Sequence, residues 1–110
     1  MTVKELCEKC SFTPVVMGEN SDCEVTGVYA CDLLSWVIGR AEENSALVTV
    51  MTNVNVVAVA AMADISCIVL SEGVKLDDNA LEKAETNGIP VLSSDKTTYE
   101  TCVALSEVLD

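Results

Sequence analysis

Two cysteines three residues apart, Cys7 and Cys10 in "CEKC", have the spacing of half a zinc site or of a redox pair. A structural zinc needs four ligands. The chain holds no histidine and no second C-x-x-C, so only Cys23 and Cys31 could complete a set, and only if folding brings them close. Both Cys7 and Cys10 also fall on the apolar stripe of the segment that carries them. The competing reading is therefore a pair of buried free thiols. Cys67 and Cys102 lie in core-type patterns.

Catalysis finds little material. Without histidine the commonest acid and base at neutral pH is missing, and Ser/His/Asp and Cys/His arrangements are excluded. There is no G-x-x-x-x-G-K-[ST] and no G-x-G-x-x-G, so a kinase or dehydrogenase phosphate cradle is excluded as well. The carboxylates are many, but none has a spacing that assigns it to acid–base work. A non-enzymatic protein without a cofactor is expected.

The chemistry that remains is binding, and the elements decide where it can sit. The apolar run "VTVMTNVNVVAVAAMADISCIVL", residues 48–70, is the key to them. A membrane span needs about 20 consecutive, mainly apolar residues. Thr52, Asn53, Asn55, Asp64 and Ser66 interrupt this run, so it reads as core. Its β-branched valines favour a strand and its alanines a helix. The reading that reconciles them is a strand over 46–51, a polar turn at Thr52-Asn53, a helix over about 54–63 and a strand over 65–70. That helix is apolar all round and must be enclosed, within the chain or by a second copy.

Around it, periodicity predicts a helix over 2–11, strands over 13–17 and 23–30, and a helix over 31–43 capped by Asp32. The stripe of that helix is Leu33, Leu34, Val37, Ile38 and Ala41. Trp36 falls off it and is a candidate interface anchor. A further helix starts at Asp78 and stops at Gly88. "IPVLSS" is a strand, and Asp95 caps a last helix over 96–109 with Tyr99, Cys102, Val103, Leu105 and Leu109 on its buried side. Strands alternating with helices imply a mostly parallel sheet covered on both faces. The expected fold is a three-layer α/β/α sandwich around about five strands. Residues 1–110 are expected to form one domain.

In such sheets, ligands gather at the carboxyl ends of the strands. This nominates Asp32, Thr52, Asn53, Ser71, Glu72, Gly73 and Ser94 as candidate ligand-binding residues. Asp32, Asp95 and Glu72 place negative charge there, which weakens unaided phosphate binding. A phosphate escorted by Mg²⁺, or a neutral polar ligand, fits better. The net charge of -12 argues against nucleic acid and anionic membrane surfaces as partners. The opening "MTVKELCEKC" lacks a basic start followed by an apolar stretch, so a cytoplasmic protein with reduced thiols is expected.

The order of these motifs resembles the DRTGG domain family. "VTVMTNVNVVAVAAMADISCIVLSEGVKLDDNALEKAETNGIPVLSSDKTTYETCVAL" follows that domain's strand and helix order. "VYACDLLSWVIGRA" is similar to the "GDLLSWVMGRA"-type segment of small stand-alone members, and "KTTYETC" to the start of the family's last helix. The likeness covers roughly residues 24–109. Thr52-Asn53 stands where the family keeps Asp-Arg, and Ser71-Glu72-Gly73 where it keeps Thr-Gly-Gly. The resemblance implies a fold similar to the N-terminal domain of HPr kinase/phosphorylase. It also implies a regulatory or assembly role, with a protein partner the sequence does not identify, and an association with anaerobic energy metabolism such as [FeFe]-hydrogenase systems; Trp36 and the all-apolar helix over 54–63 are what suggest a homodimer. The alternative is a sensor for a small ligand, a nucleotide or an acyl phosphate.

Overall fold

A computed structural model describes residues 1–109. The elements are α1 (Val3–Lys9), β1 (Thr13–Val16), a 3₁₀ turn (Glu19–Asp22), β2 (Gly27–Ala30), α2 (Leu34–Arg40), β3 (Ser45–Thr49), α3 (Val54–Met62), β4 (Cys67–Leu70), α4 (Asp78–Asn87), β5 (Val91–Ser93) and α5 (Thr98–Val108). They form one sheet in the order β1-β5-β4-β3-β2. β2, β3, β4 and β5 run parallel, and β1 joins β5 antiparallel. The expected mostly parallel sheet of five strands is what forms.

The strands alternate between two cores, as a period of two requires. Leu47, Ile68, Leu70 and Val91 face one side, with Val37 of α2, Val56 and Val57 of α3, and Ala80 and Ala84 of α4. Ala46, Val48, Cys67, Val69 and Leu92 face the other, with Val3 and Leu6 of α1 and Leu105 of α5. Strands buried on both faces must be apolar at every position, and β3 and β4 are buried throughout. β2, β3, β4 and β5 step across the sheet in one direction. Crossovers of one hand that step in one direction all lie on one face. That is why α2, α3 and α4 share a layer while α1 and α5 form the opposite one.

The helix over 54–63 is enclosed by its own chain. The sheet lies under it and its neighbours in the layer are α2 and α4. Its open positions are Asn55, Ala61 and Met62, the last 70% exposed. A second copy is not needed to cover it.

Several boundaries and caps differ from expectation. The helix expected over 31–43 is shortened to α2, because Asp32 is drawn away from the cap. Its carboxylate accepts from the Thr49 hydroxyl at 2.6 Å and the Val50 amide at 2.9 Å, tying the end of β2 to the end of β3. Leu33 takes the N-cap position with no side-chain bond. Asp77, not Asp78, precedes α4. Thr97, not Asp95, caps α5 through a reciprocal pair with Glu100, and Thr2 does the same for α1 with Glu5. Those backbone and hydroxyl bonds hold the Glu5 and Glu100 carboxyls below the usual range. Gly88 ends α4 in the left-handed conformation, φ 66°, as its position predicts. Tyr99, expected inside, is 76% exposed; Thr101 and Leu105 are the buried residues of α5.

Candidate ligand groove and exposed edge

The carboxyl ends of the strands gather most of the nominated residues, but most of their polar side chains are already engaged. The Ser71 hydroxyl lies 2.8 Å from the Thr98 hydroxyl, and that of Ser94 lies 2.9 Å from Thr101. Both serines are buried, so these pairs fasten β4 and β5 to α5. Glu72 accepts from the Thr98 amide at 2.7 Å and fills the helix N-terminus where an anion would dock. The Asn53 side chain accepts from the Asn55 amide at 2.9 Å and caps α3. The Thr52 carbonyl accepts from the Asp77 amide at 3.0 Å. Asp32 bridges β2 and β3, away from the residues at β4 and β5. These contacts hold the rim of the sheet in place.

The open space lies beside them. A groove of about 420 Å³ is bounded by Thr13 and Val15 of β1, Leu70 and Ser93 at the sheet, Gly73 to Leu76 of the loop after β4, Leu81 of α4, and Asp95. Its place follows from topology. Parallel strands laid down in sequence leave no reversal of strand order among them, and hence no crevice between neighbouring crossovers. The sheet changes sense only where β1 pairs with β5, and no helix of the α2–α4 layer lies beyond α4. The loop is pinned beside it. Glu72 donates to the Lys96 carbonyl at 2.8 Å and Gly73 to the Ser94 carbonyl at 3.0 Å. Glu72 and Gly73 both have positive φ, 62° and 67°, so the chain doubles back at once. Of the nominated residues only Gly73 lines the groove. Thr13, Val15, Lys75 and Leu76 were not nominated, because a short strand and a solvent-facing loop carry no motif.

The opposite margin is the free edge of β2. The N-terminal segment covers its approach: Val3 donates to the Cys23 carbonyl and Val25 to the Met1 carbonyl. Beyond that cover Gly27–Ala30 has no strand on its outer side among the described residues. Val28 is exposed on this strand, on the α1/α5 side of the sheet, and Leu33, Trp36 and Ile38 are exposed at α2 on the other side. Leu33 and Ile38, expected in the core stripe, thus face out, and Arg40 stacks on Trp36 with its guanidinium carbon 3.7 Å from the ring centroid.

The C-x-x-C pair lies apart from both features. Cys7 and Cys10 are buried and point their thiols at the carbonyls of Phe12 and Ala104, at 3.3 and 3.6 Å. Burial pushes both thiols up, and pushes Cys67 up to about 12. Among the described residues no three His, Cys, Asp or Glu side chains are grouped to hold a metal. Thiolate is the reactive form, so with a disulfide-exchange reagent at neutral pH we expect Cys23, which is exposed, to react first. Cys7, Cys10 and Cys67 should react only as the protein unfolds. Fast labelling of Cys7 and Cys10 in the native protein, read by peptide mass, would revive the redox reading.

A family model, the DRTGG domain, matches residues 5–108. Among solved structures the chain is similar to the CBS and DRTGG domains of the regulatory region of Clostridium perfringens pyrophosphatase, complexed with the activator diadenosine tetraphosphate. The TM-score is 0.74 at 11% identity, over 98% of this chain and 47% of that one. The chain therefore spans about half the length of that structure, and the likeness is one of fold. No curated protein matches the sequence. No helix among the described residues is long and apolar enough to cross a membrane.

Proposed function

The chain belongs to the DRTGG domain family, and from that premise we propose that it is a non-catalytic regulatory and assembly module acting as a homodimer. In this reading residues 1–110 are one cytoplasmic domain, and its dimer presents a surface to a further protein. A link to [FeFe]-hydrogenase systems rests on the resemblance alone.

The observation that carries the proposal is the exposed apolar surface of Leu33, Trp36 and Ile38 at α2, together with the outer edge of β2, which pairs with no further strand among the described residues. An open edge strand is a template for another strand, and proteins that leave one exposed blunt it with charge or proline. Gly27–Ala30 carries neither. A second copy is the occupant that charge favours. Two chains of net charge -12 repel, and they meet best where carboxylates are fewest. The apolar residues here share the patch with Arg40, while Asp32 is bonded to β3. A two-fold axis would set each edge against its copy.

Light scattering coupled to gel filtration tests this. The wild type is expected at twice the 11.7 kDa chain mass. Trp36→Asp is expected to weaken the dimer roughly tenfold or more while leaving the circular dichroism spectrum unchanged. A wild type that stays monomeric at millimolar concentration removes the proposal.

A further inference from the structure

We propose that the groove beside β1 binds a free amino acid with a large apolar side chain. The argument begins with what the groove offers. Val15, Leu70, Val74, Leu76 and Leu81 make an apolar lining, and the volume of about 420 Å³ is within the range of small-molecule sites. Two opposite charges complete it, Lys75 and Asp95. Neither side chain has a hydrogen bond or ion pair among the described residues, although the nearby Ser71 and Ser94 hydroxyls and the Glu72 carboxylate do. An apolar slot flanked by an unengaged ammonium and an unengaged carboxylate is complementary to a zwitterion with an apolar tail. The ligand's ammonium would face Asp95 and its carboxylate Lys75.

The alternatives fit less of the groove. A phosphate would have one lysine and would face Asp95, with Asp77 and Asp78 close along the chain. A neutral nucleoside leaves Lys75 without a role. The walls are also set before a ligand arrives. A Cβ at Gly73 would lie in ordinary contact with the Asp95 carboxylate, 3.5 Å from its Oδ1, and the loop is bonded to the segment after β5 at Glu72 and Gly73 and to the turn before α3 at Asp77. A preformed site spares the ligand the cost of ordering it.

The test is titration of the full chain, followed by backbone amide shifts, with L-leucine, L-phenylalanine, 3-methylbutylamine, 4-methylpentanoate, adenosine and AMP. L-Leucine and L-phenylalanine are expected to bind with Kd of about 1 mM or tighter, with shifts centred on residues of the groove. The amine and the acid, each lacking one charge, are expected to bind roughly tenfold more weakly than leucine. Asp95→Asn should weaken leucine and the amine but not the acid. Lys75→Gln should weaken leucine and the acid but not the amine. Both residues are exposed, so neither variant endangers folding. No shift in the groove at saturating leucine overturns the proposal. So does equal binding of leucine by the wild type and both variants, or adenosine or AMP binding there more tightly than either amino acid. These outcomes are independent of the oligomeric state.

Discussion

Replacing Ile68 by alanine is expected to destabilise the domain by about 3–4 kcal/mol. Ile68 is fully buried at the centre of the sheet, on the strand between β3 and β5, and its side chain belongs to the core under α2, α3 and α4. Truncation to alanine removes its transfer free energy and leaves a void. Helices on one side and a parallel strand on each flank limit how far that void can close. A domain of this size has a net stability of roughly 5–15 kcal/mol, so one such change removes a large share of it. The melting temperature should fall by about 15 °C or more. Ile68→Val should cost only about 1 kcal/mol, because it removes one methyl group. Met62→Ala, at a site 70% exposed, is the control and should change stability by less than about 0.5 kcal/mol. Equal losses for Ile68→Ala and Met62→Ala in urea unfolding would mean that the sheet is not packed as described.

Ile68 also shows why the sheet was legible. A strand buried on both faces cannot alternate polar with apolar, so "ALVTV" and "ISCIVL" announce themselves as continuous runs. The polar turn at Thr52-Asn53 splits the long run correctly, because the Asn53 side chain caps the helix that follows. The second helix misled for a physical reason. Apolar residues at helical spacing mark a face that seeks cover, and the pattern is the same for cover by a core or by a partner. Of Leu33, Leu34, Val37 and Ile38, only Val37 is fully enclosed.

The caps have a sequence signal of their own. "TVKE" and "TTYE" both have threonine followed three residues later by glutamate, which is the sequence form of a reciprocal cap. They locate the starts of α1 and α5 better than the nearby aspartates do. The candidate site was legible as a region and not as a set of atoms. The strand ends were placed, but whether a hydroxyl there is free depends on a helix that arrives from elsewhere in the chain. Thr98 and Thr101, three residues apart on α5, meet Ser71 and Ser94. Spacing along one sequence carries no record of a pairing across 27 residues.

That difference between a binding hydroxyl and a fastening one is measurable at Ser94. Its Oγ pairs with Thr101 at 2.9 Å and accepts from the Lys96 amide at 3.2 Å, and both partners in the hydroxyl pair are buried. Ser94→Ala removes one end of two bonds and strands the Thr101 hydroxyl in a place water cannot reach. The expected loss is about 2–3 kcal/mol, the lost bonds plus the uncompensated burial of a polar group. Thr101→Val keeps the shape and leaves Ser94 its bond to Lys96, so its loss should be smaller, about 1–2 kcal/mol. The double variant should be less unstable than the sum of the two, because once Ser94 is gone the Thr101 hydroxyl is a liability that valine removes. A coupling of about 1 kcal/mol in the double-mutant cycle is the expected signature. A binding serine would behave otherwise. Its replacement would leave stability near the wild-type value, the two variants would add independently, and only ligand affinity would move. Urea unfolding of the four proteins separates the two roles, and additive losses would return Ser94 to the list of residues available to a ligand.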